Sequence, residues 1–126
     1  MGMQSNLGRV RGMGSAKDGV HHWWMQRLTA VALVPLLLWL VISIIAHAGA
    51  GHEAVSAWMG QPVPAILMIL LIIAGFYHAQ LGVQVVIEDY VHNEGVKFAA
   101  LIGLKLLTVL LGVASVFAIS KLAFGA

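Results

Sequence analysis

The chain contains no cysteine, and only 10% of its residues are charged. The first absence excludes disulfides, thiolate nucleophiles, thiolate metal sites and cysteine-held iron–sulfur clusters, so any cofactor must be held by other ligands. The second is well under half the roughly 25% of an ordinary soluble domain and excludes a soluble fold. It excludes disorder too, because disordered chains are polar and rich in charge. The net charge of +2, from 7 Lys+Arg against 5 Asp+Glu, is too small and too scattered for a nucleic-acid partner. What the sequence does hold is 60% apolar residues over 126 positions, with a mean hydropathy of +0.92. That composition belongs to an integral membrane protein, whose solvent is the lipid bilayer.

Apolar runs occupy residues 28–48, 63–87 and 98–124. Each is long enough to cross a hydrocarbon layer of about 30 Å at about 1.5 Å per residue. None alternates as a membrane strand does, and three strands could not close a barrel. The expected fold class is therefore an all-α membrane protein with three transmembrane helices, running up-down-up within a helix bundle. Pro35 should kink the first helix, a defect that membrane helices tolerate when neighbours satisfy the freed carbonyl. Ala46-His47-Ala48 imitates a signal-peptidase site, but the apolar run before it is too long for a signal peptide, and the first helix is expected to remain in the mature chain. Residues 1–20 read as a glycine-rich N-terminal segment with little regular structure, and residues 21–126 as the three-helix anchor. Residues 49–62 and 88–97 read as loops, the first with Trp58 as an interfacial anchor.

Lysine and arginine set the orientation. Arg9, Arg11, Lys17 and Arg27 precede or open the first span, the first loop has none, and the second has Lys97. By the positive-inside rule the N-terminus and second loop face the cytoplasm, and the first loop and C-terminus face the periplasm. Lys105 lies within snorkelling reach of the inner headgroups and reads as an anchor.

The second helix carries the most information. At about 100° per residue, Ala74, Gly75, Gly82 and Asp89 fall on the side of His78, while Tyr77, Gln80, Gln84 and Glu88 form a separate stripe. Half of this helix cannot face lipid. Gly75 and Gly82 strip side chains from the turns bracketing His78, which would let a broad, flat group such as a porphyrin approach the imidazole. The same small residues are also how membrane helices pack closely, with the histidine hydrogen-bonded to a neighbour. Depth counted from the ends of the apolar runs sets His78 level with Leu37 and Leu107, neither of which can ligate iron. If His78 binds haem, the opposite axial ligand should therefore come from another polypeptide. Ahead of the first span, Trp23 and Trp24 fit an interfacial belt that holds His21, His22 and Arg27 at headgroup level. These polar groups could contact lipid phosphate, or His21 and Arg27 could pair with an anionic ligand group such as a haem propionate.

His78-Ala79-x-x-Gly82-x-x-x-Val86-x-x-Asp89-Tyr90-Val91, together with Gly19-Val20-His21 and Arg27-x-Thr29-Ala30, resembles the smaller membrane-anchor subunit (D) of succinate dehydrogenase, respiratory complex II. The companion anchor's Ser-x-x-His-Arg-x-Thr/Ser-Gly signature is absent from the sequence. The resemblance implies a haem b shared with the second anchor subunit (C), with His78 as one axial ligand and metal-binding residue and with His21 and Arg27 near the propionates. It implies that Tyr90 hydrogen-bonds the ubiquinone head group, with Asp89 beside that site. It also implies docking of flavoprotein and iron–sulfur subunits on the cytoplasmic face of a bacterial inner membrane. Nothing in this chain could hold a flavin or an iron–sulfur cluster, so succinate chemistry is expected elsewhere in the complex.

Other classes compete with an electron-transfer anchor. A cofactor-free structural or assembly membrane protein would use the glycine face for packing alone. A small proton- or metal-conducting bundle would need polar residues threading the whole membrane, and residues 65–75 have none.

Overall fold

A computed structural model of the chain describes residues 6 and 14–125. Arg9 and Arg11, on which part of the orientation argument rests, lie outside the described residues. The chain forms helix α1 (Gly14–Ala46), a short α2 (His52–Met59), α3 (Pro62–Tyr90) and α4 (Glu94–Ala123). Three of them, α1 from Gly19 onward together with α3 and α4, are long and apolar enough to cross a membrane.

Each long helix reaches beyond its apolar run. The irregular stretch expected before His21 is helical from Gly14. Once the apolar run has nucleated a helix, each added residue gains a hydrogen bond at small cost, so polar flanks join it. The loop expected over residues 88–97 shrinks to Val91, His92 and Asn93 between α3 and α4. Asn93 makes the restart abrupt, because its Oδ1 accepts a hydrogen bond from the Val96 N–H at 3.1 Å. Glu94 in the first turn of α4 and Lys121 in its last turn both suit the helix dipole. Pro35 lies within α1, which continues on both sides of it.

The first loop also differs from its expected form, since residues 52–59 make a helix. Gly49, at φ +83°, turns the chain out of α1, and Gly51 and Gly60 flank α2. At Gly60 the backbone comes close to the end of α4: a Cβ there would stand 3.0 Å from the Leu122 carbonyl oxygen. Pro62 then opens α3 in its first turn, where its missing N–H costs nothing.

In the tertiary arrangement α3 is central, packed by α1 on one side and α4 on the other, while α2 contacts both α3 and α4, with Gly60 at its end close to Leu122 near the C-terminal end of α4. Among the described residues the buried apolar ones are Met59, Pro64, Ala65, Leu71 and Leu81, and α4 buries none. An apolar chain that hides so little of itself has lipid or other subunits as its remaining surroundings.

Candidate functional site

The α1–α3 seam has a defined antiparallel register. A Cβ on Gly75 would meet Leu33 Cδ2 at 4.0 Å, and one on Gly82 would meet Gln26 Nε2 at 3.9 Å. Between them, His78 Nδ1 lies 3.0 Å from Thr29 Oγ1. Gly75, His78 and Gly82 therefore share the face turned to α1, and the two glycines let the helices approach to ordinary van der Waals contact.

This register corrects the depth expected for His78, whose partner level on α1 is Thr29 and not Leu37. The apolar runs misplace it because α1 begins well before its run and α3 ends a little after its own, so positions counted from the run ends do not face one another. Thr29 is 8% exposed and is tied to its own helix by 2.7 and 3.2 Å contacts to the carbonyl oxygens of Met25 and Gln26. Sequence reasoning had Thr29 in hand as part of Arg27-x-Thr29-Ala30 but gave it no role.

It also missed the face that Thr29 belongs to. His22, Gln26 and Thr29 stand at i, i+4 and i+7, one above another on a helix. His22 Nε2 and Gln26 Oε1 are both buried without a hydrogen-bond partner among the described residues. His21, one position earlier, is exposed. The i, i+4, i+7 spacing is the signal of this face in the sequence.

At the end of the bundle that carries Arg27 and Tyr90 the remaining residues stay apart. Arg27 is exposed, with its guanidinium 5.1 Å from the centre of the Trp23 ring, which meets Trp24 edge-on at 5.2 Å. Asp89 and Tyr90 occupy the last turn of α3, and Tyr90 is 76% exposed. A cavity of about 520 Å³ between α3 and α4 is lined by Phe76, Tyr77, Gln80, Thr108 and Gly112 among others, and one of about 350 Å³ between α1 and α3 includes Gly75 and Ala79. Neither takes in His21, Arg27, Asp89 or Tyr90. Gln84 and Glu88, from the polar stripe, hydrogen-bond each other at 2.9 Å.

Among the described residues no three His, Cys, Asp or Glu side chains converge to hold a metal ion. His78 can supply one ligand. Its Nδ1 is engaged by Thr29, while Nε2 makes no hydrogen bond among the described residues.

A family model described as succinate dehydrogenase/fumarate reductase transmembrane subunit matches residues 1–112. The chain belongs to that family. It is 34% identical over 116 residues to the succinate dehydrogenase hydrophobic membrane anchor subunit of Rickettsia bellii, covering 92% of this chain and 93% of the relative. The anchor subunit of the same description from Paracoccus denitrificans is 32% identical over 117 residues, covering 93% and 90%. A succinate dehydrogenase membrane anchor subunit from Porphyra purpurea is 35% identical over 97 residues, 76% of each chain. The family match takes in α1 to α3 and most of α4, so it contains every residue of the seam around His78.

Proposed function

We propose that this chain, a membrane anchor subunit of succinate dehydrogenase, gives His78 as one axial ligand to a haem b held between it and the second anchor subunit, and Tyr90 and Asp89 to the site of ubiquinone reduction. The observation that carries the first part is the His78–Thr29 contact. It occupies one imidazole nitrogen and leaves the other for a metal, which is how ligating histidines are commonly held. A haem b would supply a one-electron carrier within the membrane. At the level of His78 α1 presents Thr29, so a haem held by His78 would take its opposite ligand from the other anchor subunit.

His21 and Arg27 are exposed on the inner reach of α1. About eight residues, or ~12 Å, separate His21 from Thr29 along the helix, so both residues lie inward of His78, where propionates would be met at the membrane boundary. Arg27 suits a carboxylate through its paired N–H groups. Tyr90 lies about 18 Å inward of His78 on the same helix. Its phenol would donate a hydrogen bond to a quinone carbonyl, a bond that strengthens as negative charge builds on that oxygen. Asp89 beside it can hold a proton for the reduced quinone. The iron–sulfur and flavoprotein subunits dock at this inner, cytoplasmic side of a bacterial inner membrane, and the C-terminus lies in the periplasm.

A cofactor-free structural role draws on the contact of Gly75 and Gly82 with α1, which is close packing in its own right. The absorption spectrum of the complex purified with His78→Leu separates the two readings. Loss of the haem band supports the ligand role, since leucine fills similar volume without a lone pair. An unchanged band and unchanged low-spin signal would sink it.

A further inference from the structure

An imidazole binds a metal through one nitrogen only if that nitrogen is free of hydrogen, and the α1–α3 seam contains a device that decides which nitrogen this is. Thr29 Oγ1 lies 2.7 Å from the Met25 carbonyl oxygen, 3.2 Å from that of Gln26 and 3.0 Å from His78 Nδ1. A hydroxyl has one proton to donate and lone pairs with which to accept. Two oxygens 2.7 Å apart repel unless a proton lies between them, so the hydroxyl donates to Met25 and turns a lone pair to the imidazole. His78 Nδ1 must then be the N–H donor. In the neutral ring the remaining lone pair falls on Nε2, which lies beyond Cε1 from Nδ1 and so is aimed away from the Thr29 hydroxyl.

The opposite arrangement fails on both counts. With the hydroxyl proton aimed at Nδ1, the contact to Met25 would lose its proton, and Nε2 would carry the hydrogen and could not bind iron. At 8% exposure Thr29 leaves water little room to compete, and its branched side chain, bonded back to its own turn, has little freedom to rotate away.

We propose that Thr29 is a positioning residue for His78: it selects the Nδ1–H tautomer, fixes the plane of the ring, and presents Nε2 as a ligand. This rests on the reading of His78 as an axial ligand. A hydrogen bond at the far nitrogen also makes the ring a more basic donor, and loss of such a partner typically weakens metal binding by about 10–100-fold. A more basic imidazole favours ferric over ferrous iron, so removing the bond raises the haem reduction potential.

The test uses the intact complex purified with Thr29→Val, Thr29→Ser or His78→Leu. It measures haem retention against a haem-scavenging protein, the reduction potential, and the low-spin electron paramagnetic resonance signal. Thr29→Val keeps the packing volume and removes the hydroxyl; retention is expected to fall about 10–100-fold, with a raised potential and an altered signal. Thr29→Ser keeps the hydroxyl and stays near wild type in all three. Should the valine complex not assemble, Thr29→Ala, which cannot overpack, carries the same readouts. If Thr29→Val matches wild type while His78→Leu strips the haem, the positioning role is overturned and the ligand reading stands. Equal shifts in the valine and serine variants would also overturn it, because the methyl packing and not the hydroxyl would then be responsible. Wild-type haem in His78→Leu would overturn the ligand reading and this inference together.

Discussion

The imidazole of His47, just past the end of α1, lies against the indole of Trp58 in α2, with ring centres 4.2 Å apart. His47 Nδ1 donates to the Ser43 carbonyl at 2.8 Å, which holds the imidazole over the final turn of α1. Trp58 also stacks on Trp39 at 5.9 Å. One indole thus folds the first connection down onto α1, and a segment whose sequence reads as an interfacial loop becomes a helix with a fixed seat.

Trp58→Ala should loosen that seat. Aromatic pairs contribute roughly 0.5–1.5 kcal/mol beyond the area they bury, and two contacts go at once. Proteolysis within residues 49–61 is expected to speed up, while haem content stays unchanged, because His47 is about 27 Å from Thr29 along α1. A wild-type cleavage rate would mean that α2 is held by its contacts with α3 and α4 alone.

Gly82→Leu acts at the seam. Alanine would fit, since a Cβ meets Gln26 Nε2 at an ordinary 3.9 Å, but leucine must push α1 away from α3. Overpacking of this kind costs about 1–3 kcal/mol and would separate Thr29 from His78. Lower haem content or failed assembly is expected from the purified complex. Wild-type values in both would show that the seam is not as tight as Gly82 and Gln26 indicate.

Gly60→Ala meets backbone and not a flexible side chain. Its Cβ would lie 3.0 Å from the Leu122 carbonyl oxygen, so the end of α4 or the α2–α3 connection has to move. The expected result is a lower thermal midpoint for the detergent-solubilised complex, on the scale of about 1–3 kcal/mol. No change in midpoint would mean that the end of α4 yields freely.

Tyr90→Phe keeps the ring and deletes the hydroxyl. If that hydroxyl bonds the quinone, electron delivery to ubiquinone falls, while succinate oxidation with an artificial acceptor that bypasses the membrane stays near wild type. A hydrogen bond to a developing oxyanion is worth ~3 kcal/mol, which allows a fall of about one hundredfold. Haem content stays constant. Equal rates with quinone would return Tyr90 to the interfacial belt.

The sequence by itself determined the three spans, their order and the family, because the free energy of placing a residue in lipid depends on that residue and its near neighbours. It also determined that His78, Gly75 and Gly82 share a face, since helical periodicity is local. The helix ends were not legible, because polar flanks such as residues 14–20 and 88–90 continue a helix once the apolar run has begun it. Only the tertiary structure decided that Thr29 meets His78, and that His22 turns a buried nitrogen inward while His21 stays exposed. Neighbouring positions on a helix differ by about 100°, so which histidine faces α3 depends on how α1 is rotated against it. That rotation and the antiparallel register follow from how side chains on both helices pack around Gly75 and Gly82, a property of the pair that neither segment carries alone.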